Sequence, residues 1–264
     1  MSLFKKKVEI EPKHYIFPDA KVYSEYYLSL KEKVLYFLMA FVIGSAVGFI
    51  FYSNIVIALI AGLVAGYVYI PIRRKQIISN QIKKLRIQFR DLLETLSTSI
   101  SAGKNIVDAF VASYDDLKDQ YSESSDMVKE VKNIVSGINN NINIEDLLLD
   151  LAERSGVEDI VSFANVFEIC YRKGGNIKEI IKNTYEIIDD KMGIDMEIET
   201  MITSSKTEQK MMLLMPILFV FILKSMGAGI SGQGTVASTV ATTVALALFA
   251  LAYFVGKKIM AIKL

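Results

Sequence analysis

Between Lys33 and Arg73 the chain carries no charged residue. That is about twice the ~20 apolar residues one helix needs to cross a hydrocarbon core, so the run cannot be a single span. Ser53-Asn54 is the polar interruption, and it divides the run into 34–52 and 55–72. The expectation is a tight transmembrane helical hairpin. A signal peptide would place its apolar run sooner and keep it shorter. Gly44 and Gly48 form one GxxxG, and Gly62 and Gly66 form another. Such small-residue faces let two helices approach closely, although the spacing also arises by chance in apolar helices.

The rest of the chain shows the same segregation. Hydrophobic residues make up 52% of 264 and the mean hydropathy is +0.35, both high for a soluble protein. The excess is concentrated in two blocks. Thirty Lys and Arg against 29 Asp and Glu leave a net charge of +1, so no global field attracts nucleic acid, and no nucleic-acid partner is expected. Residues 1–33 are polar, with Lys5, Lys6 and Lys7 together and with Pro12 and Pro18 breaking any long helix; they read as a flexible cytoplasmic arm.

Arg73, Arg74 and Lys75 follow the second span, and Lys83, Lys84, Arg86 and Arg90 extend the basic run. The positive-inside rule makes this end cytoplasmic, and the short hairpin puts the N-terminal lysines on the same side. Residues 73–210 then change to amphipathic helical periodicity, with no β-alternation, and predict a helical bundle. Leu85, Phe89, Leu92, Leu93, Leu96 and Ile100 share one face, and Gly103 ends that run. Later stripes are Ile106, Ala109, Phe110 and Leu117; Met127, Val131, Ile134, Val135 and Ile138; Ile144, Leu147, Leu148 and Leu151; Ile160, Phe163, Ala164 and Phe167. A sixth helix is expected to run from Ile177 through Ile181, Tyr185, Ile188 and Met192 towards the membrane.

Asn105, Asn143 and Asn176 each precede an isoleucine and, three positions on, an acidic residue. Capping chemistry recurring at three helix starts explains this echo without a structural repeat. The last of them lies in Arg172-Lys173-Gly174-Gly175-Asn176, which reads as a helix end, a glycine turn and a helix start. The two cations suit a helix C-terminus, and Gly174 suits the left-handed residue that ends one.

Residues 211–264 read as a second transmembrane hairpin. Residues 211–223 are apolar, Pro216 is placed to kink them, and Lys224 belongs near the outer surface. Gly227, Gly229, Gly232 and Gly234 make an outer loop, and 236–256 cross back to Lys257, Lys258 and Lys263 in the cytoplasm. Ala237, Ala241 and Ala245 form a small-residue stripe that is expected to face protein. The four parts are therefore 1–33, 34–72, 73–210 and 211–264, in an all-α multi-pass protein of the cell membrane with both termini cytoplasmic.

Catalytic signatures are missing from the sequence. There is no GxxxxGK[ST], no HExxH, no EF-hand loop and no CxxC. The single histidine, His14, and the single cysteine, Cys170, leave no metal or nucleophile cluster to assemble, and Cys170 reads as a small core residue. No enzyme activity, metal or cofactor is expected.

In order and spacing, Phe89-Arg90-Asp91-Leu92-Leu93, then Ser101-Ala102-Gly103, then 147–154, then Arg172-Lys173-Gly174-Gly175-Asn176-Ile177, and Lys206 before Pro216, resemble the type II secretion system F family. The similarity covers 88–220, and the two-span, cytoplasmic-block, two-span layout extends it over nearly the whole chain. Its closest branch is similar to the Tad-type (Flp) pilus platform proteins. The wider family has a Gly-Glu pair where this chain has Tyr171-Arg172, so no role of that glutamate carries over.

The resemblance implies a non-enzymatic inner-membrane platform. Its partners would be the lipid bilayer, a cytoplasmic secretion ATPase, a related platform subunit and the pilin subunits, within a homo- or hetero-oligomer. On that reading Arg172, Lys173, Gly174, Gly175 and Asn176 contact a partner, and Lys206 and Pro216 couple the cytoplasmic block to the bilayer. The alternative is a membrane sensor or receptor signalling through the helical block. A transporter ranks third, because four spans without polar intramembrane residues have little with which to coordinate a substrate.

Overall fold

The computed structural model describes residues 15–17, 20–26, 28–226 and 236–260, and every regular element among them is an α-helix. In order these are α1 (Leu30–Tyr52), α2 (Ile55–Ser101), α3 (Ile106–Gln120), α4 (Asp126–Asn139), α5 (Ile144–Ser155), α6 (Glu158–Lys173), α7 (Ile177–Ser225) and α8 (Val236–Met260). Two compact units result. One is Met1–Tyr26 with Ile78–Asp190, and the other is Tyr27–Ile77 with Lys191–Leu264. Helices α2 and α7 contribute to both.

In the second unit α1 and the start of α2 form the expected hairpin. Ser53 takes a left-handed conformation with φ of 49°, and the Asn54 side chain accepts the Val56 N–H at 2.9 Å, so two polar residues suffice to reverse the chain. Both glycine pairs lie where the helices touch. A Cβ at Gly44 would stand 2.7 Å from the Ala65 Cβ, one at Gly48 3.0 Å from the Ala58 Cα, and one at Gly62 2.8 Å from the Phe41 carbonyl oxygen. These glycines set the separation of the two backbones. At the open end of the hairpin Tyr36 meets Tyr69 edge-on at 6.4 Å, and the Arg73 guanidinium lies 5.3 Å from the Tyr36 ring.

α1 and α2 are long and apolar enough to cross a membrane, and only 6% and 17% of their apolar stretches are buried inside the protein. A soluble protein's core helix would be mostly buried, so these surfaces need a non-aqueous environment. No other helix among the described residues meets that length and composition. The apolar part of α8, Val240–Gly256, is shorter. The sides of α7 and α8 are nonetheless apolar and open, with Met212 71% exposed and Phe254 69%. The outer glycine loop at 227–234 and Lys263 lie outside the described residues.

The first unit is a helical bundle whose core is the set of stripes read from the sequence. Leu85, Phe89, Leu92, Leu93 and Leu96 of α2 are buried, as are Phe110 and Leu117 of α3, Met127 and Val131 of α4, Leu147 and Leu151 of α5, and Phe163 and Phe167 of α6. Ile181 and Ile188 add the start of α7. Gly103, Gly156 and Gly174 end α2, α5 and α6 with positive φ, as the sequence predicts for Gly103 and Gly174.

Three expectations need correction. The first concerns 1–33, read as a flexible arm: Tyr23 is 1% exposed, and Ile16, Lys21 and Tyr23 are hydrogen-bonded to the bundle, while α1 already begins at Leu30. Pro12, His14, Pro18 and the lysines at 5–7 lie outside the described residues. The second concerns 55–72 and the stripe from Leu85, read as separate helices, which form the single helix α2 with Pro71 inside it. The third concerns the alanine stripe of α8. Ala241 and Ala245 are exposed, and α8 touches its own unit through the Tyr52–Thr243 hydroxyl pair at 2.9 Å and through Gln209, which donates to the Tyr253 carbonyl at 3.2 Å.

Candidate functional site

The glycine turn between α6 and α7 forms as its sequence dictates. Gly174 has φ of 76°, and the Gly175 N–H donates to the Cys170 carbonyl at 2.7 Å, closing the end of α6 with a Schellman-type bond. A Cβ at Gly175 would stand 2.9 Å from the Cys170 Cβ, so the second glycine is needed for room. Cys170 is half-buried beneath it. Asn176 accepts the Glu179 N–H at 3.3 Å and its amide donates to the Glu179 carboxylate at 3.1 Å. The residues from Tyr171 to Asn176 are all exposed.

Behind the turn runs an aromatic ladder. Phe89 meets Phe163 at 5.5 Å, Phe163 meets Phe167 at 5.6 Å, and Phe167 stacks on Tyr171 at 5.4 Å, so the exposed turn is backed by packed rings reaching into the core. Arg172, read as a partner contact, is engaged within the chain. It faces Glu145 and Asp146 of α5 at 3.4 Å each and Glu168 of α6 at 3.3 Å, with its side chain 55% exposed. Lys173 projects from the last turn of α6 and is exposed.

Two ionic networks that sequence reasoning missed hold the bundle that presents this turn. In the first, Arg154 of α5 donates from Nη1 and Nη2 to the two oxygens of Glu130 of α4, at 2.7 Å each, and from Nε to Asp150 at 2.7 Å. All three are at least nine-tenths buried. Burial alone would lower the Arg154 pKa, but hydrogen bonding to Glu130, its charge and then Asp150 outweigh that and raise it. The same network holds the N-terminal segment. The Tyr23 hydroxyl donates to Glu130 at 2.8 Å, the Tyr23 N–H to the Arg154 carbonyl at 2.9 Å, and the Ile16 N–H to Asp150 at 2.8 Å. Burial, then the Glu130 charge and hydrogen bond, push the Tyr23 pKa well up, so it stays a donor.

In the second network Asp91, 3% exposed, accepts from Arg90 at 2.6 Å and from the Tyr121 hydroxyl, while Arg90 also reaches Asp189 of α7 at 3.2 Å. Burial first, and then the bond to Asp91, push the Tyr121 pKa up to about 12. Asp91 thus ties α2 to Tyr121 at the end of α3, and Arg90 ties α2 to α7. Asp91 follows Phe89-Arg90 in the motif that carried the family resemblance.

Lys206 is exposed on α7 and Pro216 half-buried in it, and the helix is unbroken through both. The turn and these two positions are far apart along α7 and form no common site. Among the described residues no group of three or more His, Cys, Asp or Glu is arranged to hold a metal ion. No family model matches the chain, and no curated protein or solved structure matches it either.

Proposed function

We propose that this chain is a non-enzymatic inner-membrane platform of a Tad-type pilus or type II secretion-like apparatus. It couples a cytoplasmic secretion ATPase to pilin subunits drawn from the bilayer, and assembles with itself or a related platform subunit. The observation that carries this reading is α7. One helix of 49 residues begins at the Gly174-Gly175 turn and ends in the apolar stretch around Pro216, with neither Gly193 nor Pro216 breaking it. A helix of that length extends about 70 Å at 1.5 Å per residue, enough to carry displacement of the charged block into the apolar part.

The proposed topology has four spans, with both termini and 73–210 in the cytoplasm. Supporting it, Tyr36, Tyr69 and Arg73 cluster at the end of the α1–α2 hairpin that adjoins the basic residues Arg74 and Lys75, the arrangement expected at a cytoplasmic membrane interface. The third and fourth spans draw on the open apolar sides of α7 and α8. In a Cys170→Ser background, a cysteine at 232 is expected to label from outside intact cells, and one at 120 only after permeabilisation. Labelling of 120 in intact cells contradicts the topology. Purification with cross-linked neighbours is expected to recover a secretion ATPase and pilin; a sensor would instead bring down signalling proteins.

A further inference from the structure

The turn sits in a field opposite in sign to the one its own Arg172-Lys173 suggests. Glu145 and Asp146 from the first turn of α5 and Glu168 from α6 surround the Arg172 guanidinium. Three carboxylates against Arg172 and the adjacent Lys173 leave a local charge of −1. The distances of 3.3 and 3.4 Å exceed the roughly 2.7–2.9 Å of a tight charge-assisted bond, so the guanidinium is shared among the three and clamped by none.

Glu145 differs from its neighbours. Its side chain is 9% exposed, Oε1 is the oxygen facing Arg172, and Oε2 has no hydrogen-bond partner. A buried carboxylate oxygen without a donor bears its desolvation cost uncompensated, and native structures seldom keep one unless something completes it. The group that fits is a cation with N–H donors.

We propose that the Glu145, Asp146 and Glu168 patch is a docking surface for a basic segment of a partner protein. A lysine or arginine side chain of that segment donates to Glu145 Oε2 as Arg172 swings aside on its exposed stem. The patch favours a macromolecular cation over a bound metal, since the described acidic residues include no metal-holding group. The proposal rests on the platform reading only in taking this turn as the face that the cytoplasmic ATPase meets. It reverses the sign of the contact, because the partner surface is basic and Arg172 competes with it.

The test uses the full chain in phosphatidylcholine nanodiscs, which have no net lipid charge, with oligo-arginine and oligo-glutamate peptides and the purified secretion ATPase as probes. Oligo-arginine is expected to bind saturably. Asp146→Asn with Glu168→Gln should weaken it about tenfold, Glu145→Gln should also weaken it, and Arg172→Ala should leave it unchanged or tighter, with melting temperatures confirming that each variant folds. Unchanged oligo-arginine affinity in the carboxylate variants, or oligo-glutamate binding that Arg172→Ala abolishes, overturns the proposal. ATPase affinity should follow the same order across the variants. If the ATPase ignores the wild-type protein while oligo-arginine behaves as expected, the platform reading fails and the basic-partner surface stands. An ATPase that binds all variants equally overturns the surface and leaves the platform.

Discussion

Arg154 is the residue on which the cytoplasmic bundle depends most. It satisfies two buried carboxylates and anchors Tyr23 through both its main chain and its partner Glu130. Removing one member of a buried ion pair costs far more than the pair contributes, because the remaining charges cannot leave. Arg154→Ala is therefore expected to lower stability by about 3–5 kcal/mol and to expose the Ile16 and Tyr23 amides to rapid hydrogen exchange. Tyr23→Phe should cost only about 1.5 kcal/mol, since Arg154 still holds Glu130. Equal effects of the two substitutions would refute this ranking. Tyr121 supplies a pH-dependent counterpart. Its pKa is raised in the folded state to about 12, from the ordinary value near 10, so its contribution is complete below about pH 10 and disappears as pH rises towards 12. Thermal melts between pH 9 and 12 should show a shallower loss in Tyr121→Phe than in the wild type.

At the scale of elements, two glycines in membrane-side helices should respond in opposite ways. Gly62 lies under the Phe41 carbonyl, so Gly62→Leu forces α1 and α2 apart and should cost about 1–3 kcal/mol. Gly193 in α7 has nothing within 4 Å of an added Cβ and carries no positive φ, so Gly193→Ala should stabilise by about 0.5–1 kcal/mol. Melting of the full chain in detergent reads both. These elements also show what was legible in the sequence. The stripes were, because a 3.6-residue period leaves a mark, and so were the caps at Asn105 and Asn176, because a side chain must supply what the first turn lacks. The continuity of α2 was not. The change from apolar to basic at Arg73 marks a change of solvent, which polarity records, but the backbone runs on through Pro71 without regard to it. The buried networks were half legible. Glu130 shares the stripe of Met127 and Ile134, and Arg154 that of Leu147 and Leu151, yet a lone charge on an apolar face does not reveal that its partner lies on another helix. The docking of Ile16 and Tyr23 was hidden for the same reason, since it depends on Asp150 and Glu130 more than a hundred positions away.

At the scale of the whole molecule, the proposed platform requires α7 to carry displacement from its charged part into its apolar part. The absence of proline between Asn176 and Lys210 left a continuous helix open in the sequence, and α7 runs on past that stretch, from Ile177 to Ser225. Around Ser205 and Lys206 the helix is exposed and apart from the packed cores, so a break there alters connection without altering packing. Inserting Gly-Gly-Ser between Ser205 and Lys206 is the most direct measurement. A platform that works through α7 should then keep normal membrane levels and normal ATPase association but assemble no fibres, because a flexible joint cannot transmit displacement. Wild-type fibre yield from the same variant would contradict it and leave the chain as a passive anchor.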